Sequence, residues 1–308
     1  MKILILNASA NTGSTGRIAE EVGLLAHQND FEVRFAYGRQ AVNSSLPLIK
    51  IGNNWDICWH GIKSRMFDAH CFASRKATME FIKELEAWKP DVMNIHNLHG
   101  YYINIEILFD YLKRVQIPIV WTLHDCWPFT GHCSYFDRYN CRKWEIECHH
   151  CPNLKGYPES WIIDRSTFNF RKKKEIFNDL NNMTIVTPSS WLAQHVRNSF
   201  LQNYHIKVIH NGVDLNVFRT LKHDEIYCKY GFSNKPFILG LASIWDSRKG
   251  LDDFIVLRKL LKSEIQIVLV GLSSKQSVDL PEGILAISRT ENISELTALY
   301  SAASVFVN

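Results

Sequence analysis

A cationic pair, Arg248 and Lys249, is followed by Gly250 and sits between two patterned segments. Ahead of it lies a short apolar run, Phe237-Ile-Leu-Gly-Leu-Ala242; behind it apolar residues recur with helical spacing at Leu251, Phe254, Leu257 and Leu261. Positive side chains at the carboxyl end of a strand, ahead of a helix N-terminus, are how open α/β sheets hold phosphate groups. Two further strand-like runs end in histidine: Val92-Met-Asn-Ile-His96-Asn97, continuing to His99-Gly100, and Val120-Trp-Thr-Leu-His124-Asp125. An imidazole at such an edge is placed to meet a ligand and to donate or accept a proton. Asp125 is expected either to orient the His124 ring or to accept from substrate hydroxyls. A third loop, Asn7-Ala-Ser-Ala-Asn-Thr-Gly13-Ser14-Thr15-Gly16, follows the first strand. Its glycines relieve backbone strain and its small hydroxyl residues leave amides open to a ligand. It matches neither the dinucleotide G-x-G-x-x-G pattern nor the phosphate-loop Gly-Lys-Ser/Thr ending. Each feature also has a purely structural reading: a solvated loop charge, a strand-to-helix turn, an imidazole bonded to a nearby carbonyl.

Cys133, Cys141, Cys148 and Cys151 form a C-x7-C-x6-C-x2-C cluster with His132, His149 and His150 among them. In a reducing compartment clustered cysteines argue for metal over disulfides. Four thiolates suit tetrahedral zinc and leave no open position, so a metal here would be structural. Reduced buried thiols and an iron–sulfur cluster remain as alternatives, and Cys126 could replace one ligand. Cys58, Cys71 and Cys228 are isolated. Acidic Asp137, Glu145 and Glu147 among the bases argue against a nucleic-acid-binding zinc module.

Strand-like runs alternate with helical periods along the 308 residues. Ile3–Leu6 precedes a helix marked by Ile18, Val22 and Leu25. Val92–Ile95 follows one marked by Phe81, Ile82, Leu85 and Trp88, and further strands are expected at Ile117–Leu123 and Met183–Thr187. That rhythm predicts parallel sheets covered on both faces. The polar stretch from Lys222 to Asn234 marks a boundary, giving domains 1–218, with a Cys-rich insertion at 126–155, and 219–308. Hydrophobic residues at 46% and charged residues at 21% describe a globular chain. A net charge of +4 is too small to argue for nucleic acid. No run reaches the ~20 apolar residues that span a bilayer, and the first strand is too short for a signal peptide's core, so a cytoplasmic location is expected. Arg171, Lys172, Lys173 and Lys174, beside Phe168, Phe170, Ile176 and Phe177, form a basic run expected either on a solvated helix face or against an anionic membrane.

Ile209-His-Asn-Gly-Val-Asp-Leu-Asn-Val-Phe218, followed by the Arg248-Lys249-Gly250 loop, resembles family-4 glycosyltransferases, retaining nucleotide-sugar enzymes of the GT-B architecture. The resemblance extends to Val186-Thr-Pro-Ser-Ser-Trp-Leu192, Ile265-Gln-Ile-Val-Leu-Val-Gly271 and Leu299-Tyr-Ser-Ala-Ala-Ser-Val-Phe-Val307. The segment from His124 through Cys151-Pro152 resembles a subgroup from bacterial surface-polysaccharide pathways. The resemblance implies two Rossmann-like domains and transfer of a sugar, with retention, from a nucleoside diphosphate sugar to a glycan or lipid-linked acceptor. It implies that Lys249 contacts the donor diphosphate, that His124 contacts the donor sugar, that the loop of Gly13, Ser14, Thr15 and Gly16 lines the cleft, with His96 and Asn97 alongside, and that no catalytic cofactor is needed. One departure is Ile244, where the family often carries an Arg; Arg248 would then supply the second charge. A nucleotide-sugar epimerase of the same architecture, or a non-catalytic binding remnant, are the competing readings. The second domain offers four strands, 237–242, 265–270, 284–287 and 305–307, and lacks the family's later loop with two glutamates. It is therefore expected to be incomplete, with an exposed edge and low activity.

Overall fold

The computed structural model describes residues 1–221, 224–231, 236–246 and 249–307. Two compact units separate at Gly212/Val213, each with its own parallel sheet. The pattern alone put that boundary after Phe218. The segment ahead of it belongs with the second unit because the Phe218 ring packs on Tyr300.

The first unit carries seven parallel strands: β1 (Lys2–Asn7), β2 (Glu32–Tyr37), β3 (Leu48–Lys50), β4 (Val92–Ile95), β5 (Ile119–Thr122), β6 (Met183–Thr187) and β7 (His205–Val208). Their order is β3-β2-β1-β4-β5-β6-β7. The chain winds outward from β1 to β3, then returns to β4 on the other side of β1, with Ile3 opposite Val92 and Leu6 opposite Ile95. The β1/β4 gap is thus the switch point where doubly wound sheets open a ligand crevice. Helices α1 (Gly13–Gln28), α2 (Asn54–Phe67), α3 (Arg75–Trp88), α4 (Ile105–Val115), α5 (Ser166–Phe177) and α6 (Ser190–Arg197) cover the sheet. Several are started by side chains that satisfy orphan amides. Asn53 and Asp56 form a capping box on α2, Asn104 accepts from Ile107 N on α4, and Ser189 accepts from Leu192 N on α6.

α3 docks through Phe81, Ile82, Leu85 and Trp88, as its spacing predicts. α1 departs from its pattern: Val22 and Leu25 are exposed, while Gly16, Ala19, Glu20 and Gly23 face inward. The helix lies too close to the sheet for larger residues. A Cβ on Gly23 would fall 2.5 Å from Leu46 Cδ1 and 2.6 Å from Ile5 Cδ1. Glu20 is accommodated by the Ser44 hydroxyl, which donates to it at 2.8 Å, and by Ser45 N at 3.0 Å.

Most of the basic run on α5 is committed, and only Lys174 is exposed with no ion pair among the described residues. Arg171 pairs with Glu147, and Lys172 with Glu106 and Glu175. Lys173 is 1% exposed, donates to the carbonyls of Trp127 (2.8 Å) and Thr130 (3.0 Å), and lies 3.5 Å from the centroid of the Trp127 ring. Helical geometry directs Lys173 inward at a position where composition alone suggested solvent.

In the second unit β8 (Phe237–Leu241), β9 (Gln266–Val270), β10 (Ile284–Ile287) and β11 (Val305–Val307) form a sheet in the order β10-β9-β8-β11. Helices α7 (Asp224–Tyr230), α8 (Leu251–Leu260), α9 (Ser274–Val278) and α10 (Ile293–Ala302) complete it. β11 pairs with β8 and exposes Val305, Phe306 and Val307.

The close approach of α1 gives a test. Gly23→Val should lower stability by about 1–3 kcal/mol through overpacking, read as a lower melting temperature by circular dichroism. An unchanged melt would show that α1 does not pack as described.

Candidate functional site

The loops after β1, β4 and β5 converge on a cleft of about 390 Å³ at the switch point of the first sheet. The loop after β1 supplies Thr12, Gly13, Ser14 and Thr15, that after β4 supplies Asn97 and His99, and that after β5 supplies His124 and Asp125. Gly13 takes φ +68°, a left-handed conformation that favours glycine, and an added Cβ there would meet open space. Thr12 starts α1 without a side-chain cap, so the first amides of that helix are left for another partner. Asn7 braces the loops: its Oδ1 accepts from Asn97 N at 3.1 Å and its Nδ2 donates to Ser9 O at 2.7 Å.

Gly16 and His96 lie behind this lining. Gly16 is buried where a Cβ would stand 2.8 Å from Ser9 O. His96, 2% exposed, stacks on His124 with ring centroids 5.2 Å apart. A chain of hydrogen bonds fixes both rings. Asn94 Nδ2 donates to Val120 O at 3.1 Å, which leaves Asn94 Oδ1 to accept from His96 Nε2 at 2.8 Å. His96 Nδ1 then accepts from His124 Nε2 at 2.9 Å. This assignment follows from the donor–acceptor inventory and leaves His124 Nδ1 an unprotonated acceptor in a residue that lines the cleft. Burial, reinforced by His124, pushes the His96 pKa down to about 3; burial, only partly offset by Asp125, pushes that of His124 down to about 4. His124 is therefore a neutral hydrogen-bond acceptor near pH 7 and a poor proton acceptor.

Asp125 does not orient His124. Its Oδ1 accepts from Trp127 N at 2.9 Å, and its Oδ2 is 2.8 Å from His99 Nε2, an ion-pair contact off the ideal hydrogen-bond direction. Burial alone would raise its pKa, but the close approach of His99, with the Trp127 amide, outweighs that and holds the carboxyl below its usual range. His99 Nδ1 lies 3.1 Å from the Tyr157 hydroxyl. Arg39, Tyr135, Tyr157 and Asn211 also line the cleft. Sequence reasoning missed all four. Asn211 and Tyr135 lay in segments already singled out, though neither was named; Arg39 follows an unpredicted strand and Tyr157 lies just past the Cys-rich insertion.

The four clustered cysteines line one small cavity of about 10 Å³, room for one atom-sized occupant, and Cys126 is not among its walls. Contact between the Cys133 and Cys151 thiols, together with burial, raises the Cys133 pKa, and the same contact holds that of Cys151 below the usual thiol range. Gly131 N donates to Cys148 Sγ at 3.2 Å. His132 Nδ1 lies 2.6 Å from Asp68 Oδ1, and its buried Nε2 has no hydrogen-bond partner among the described residues. Among the described residues, no three His, Cys, Asp or Glu side chains stand in a ready coordination shell.

In the second unit Lys249 is exposed at the turn between β8 and α8, and its amide donates to Asp246 O at 3.0 Å. Gly250 takes φ +69° as the residue ahead of α8, and a Cβ there would stand 2.9 Å from Asp253 Oδ2. Arg248 lies outside the described residues.

Residues 56–217 match the family model Glycosyltransferase Family 4. The chain belongs to that family. It is 32% identical over 232 residues to an Escherichia coli (strain K12) protein described as "Putative colanic acid biosynthesis glycosyl transferase WcaC"; the match covers 70% of this chain and 55% of that one. The chain thus spans about half the length of the curated relative it matches. Among solved structures, a glycosyltransferase from Rickettsia africae superposes with TM-score 0.62 at 13% identity, covering 99% of this chain and 72% of the other. Anabaena Alr3699/HepE, in complex with UDP and glucose, superposes with TM-score 0.62 at 14% identity, covering 99% and 73%. These likenesses establish the α/β fold with parallel sheets shared by GT-B glycosyltransferases.

The buried histidines of this family-4 member make its stability pH-dependent. Histidine in an unfolded chain takes a proton near pH ~6.5, whereas His96 and His124 resist it to about 3 and about 4. Their stabilising contribution is complete above the unfolded value and is lost as pH falls from there through the folded values. Ring resonances in NMR should stay those of neutral imidazole through pH ~5. A His96 titration near pH 6.5 in the folded protein would refute the relay.

Proposed function

We propose that this chain serves transfer of a sugar, with retention, from a nucleoside diphosphate sugar to an acceptor hydroxyl in surface-polysaccharide biosynthesis. The observation that carries this reading is the neutral His124, its Nε2 committed to His96 and its Nδ1 left as an acceptor, in the lining of the switch-point cleft of a family-4 chain. A neutral ring with a fixed lone pair accepts from a sugar hydroxyl without being protonated by it. As the bond from the sugar to the diphosphate breaks, the sugar becomes oxocarbenium-like and the diphosphate gains charge. We assign the diphosphate contact to Lys249, with Gly250 allowing close approach, and the sugar contact to His124. The loop at Gly13, Ser14 and Thr15, with the uncapped start of α1, suits a polar or anionic acceptor group. Asp125, committed to His99 and Trp127 N, acts by positioning the loops after β4 and β5. The UDP and glucose of HepE support a nucleotide-sugar donor.

We also assign a structural zinc to Cys133, Cys141, Cys148 and Cys151. The soft sulfur donors, the small cavity they share and the amide donated to Cys148 support it; the thiols would have to turn to close on the ion, since among the described residues they do not stand in a coordination shell. Such an ion would pin the excursion and take no part in transfer.

Three outcomes are expected. Lys249→Ala should weaken calorimetric binding of UDP or GDP while leaving the melt unchanged; unaltered affinity would remove Lys249 from the donor site. His124→Ala should lower transfer of labelled sugar to membrane-extracted acceptors by roughly 10²–10³-fold, as loss of a transition-state contact does. Sugar inverted on its nucleotide without any acceptor would instead identify an epimerase. Elemental analysis should find close to one zinc per chain, lost in Cys148→Ser; zinc-free protein purified without chelators would leave reduced thiols as the account.

A further inference from the structure

Helix α2 is turned inside out. It buries His60, Gly61 and Ser64, while Trp55, at 84% exposure, Cys58, Trp59, at 58%, and Ile62 fall on one outward stripe. A surface helix in water shows the opposite pattern. The helix cannot simply roll over, because its inward polar groups are committed. His60 Nε2 accepts from Cys71 N at 3.0 Å, so its Nδ1 donates to Ser74 Oγ at 2.8 Å.

The apolar surface continues beyond the helix. Trp161 N donates to Arg65 O at 2.7 Å, which sets exposed Trp161 and Ile162 beside the end of α2. Cations are interleaved with the rings: Lys63 Nζ is 5.4 Å from the centroid of Trp59, Arg65 5.9 Å from that of Trp161, and Arg165 4.2 Å from that of Phe168. Arg65 has a carboxylate partner, Glu159 at 3.9 Å. Lys63 and Arg165 have none among the described residues.

We propose that this surface docks on an anionic lipid bilayer, with α2 lying in the interfacial plane. Indole rings with flanking lysine and arginine suit the headgroup layer, where the ring is half-buried and the cation meets lipid phosphate. A symmetric dimer through the same face would bring the like charges of two copies together, whereas anionic lipid complements them. The docking face also reaches the cleft. Arg65 lies over Tyr101, whose ring packs edge-on against Tyr157, a wall of the cleft. If the transfer reading above holds, a lipid-linked acceptor would arrive from this side; the docking itself does not depend on that reading.

The test is co-sedimentation of the purified chain with vesicles of phosphatidylethanolamine and phosphatidylglycerol, against vesicles of phosphatidylcholine alone. The chain should bind the anionic vesicles and be released by high salt. A Trp55→Gln/Trp59→Gln variant and a Lys63→Glu/Arg165→Glu variant should each bind roughly tenfold or more weakly. Circular dichroism melts matching the parent would exclude misfolding of these exposed-face variants. Absence of binding, or equal binding by both variants, would overturn the proposal. So would a lipid-free dimer abolished by the tryptophan changes, which would assign the face to a second copy. Because vesicle binding is read without any reaction, its failure would leave the transfer reading standing, and loss of transfer would leave docking standing.

Discussion

A single buried ammonium group organises the ground on which the cleft rests. Lys173 leaves the α5 surface, donates to the carbonyls of Trp127 and Thr130, and covers the Trp127 ring. Removing such a charge from water costs several kcal/mol. Charge-assisted hydrogen bonds and the ring face offset part of that cost, and the remaining penalty holds the Lys173 pKa down to about 7. Those two carbonyls belong to the turn that follows His124 and Asp125. The turn's position fixes Trp127 N, which in turn holds Asp125, and Asp125 meets His99 across the cleft. Loop geometry there is set from the buried side.

A second chain of dependence runs through amide and imidazole groups. Asn94 sits within β4 and uses both ends of its side-chain amide, one on β5 and one on His96. The two histidines then have only one consistent tautomer pattern. Site chemistry is therefore determined two residues deep in the sheet, at a position that makes no contact with the cleft itself. The stack also explains why two titratable rings tolerate such proximity: both are held neutral by burial, so no like charges meet.

Much of the fold was legible in the pattern. The apolar runs at 92–95, 183–187, 284–287 and 305–307 are strands, and His99 and His124, from the loops after β4 and β5, line the same cleft, while His96 lies behind it. What the pattern hid has a physical cause in each case. β2, β3 and β7 are short or half-polar, and their periodicity is too weak to read against neighbouring loops. α1 docks through glycine and alanine because distance to the sheet, and not apolar character, decides what fits. Lys173 was indistinguishable from its neighbours because composition cannot say which residue of a basic run faces inward. The partner of Asp125 was missed because His99 arrives from another strand, and sequence adjacency favoured His124.

The Cys-rich excursion has a consequence for the order in which the molecule can assemble. β5 and β6 are neighbours in the sheet, yet about sixty residues separate them, with α5 as the crossover helix late in that run. Parallel neighbours joined by so long a tether find each other slowly, since chain entropy is lost before any ladder bond forms. Strands β1 to β5 need no part of the excursion to pair. β6 and β7 can pair with each other across the short α6 connection, but their joining to β5 closes the long loop, so the segment that shapes one wall of the cleft also carries the chain-entropy cost of completing the sheet beneath it.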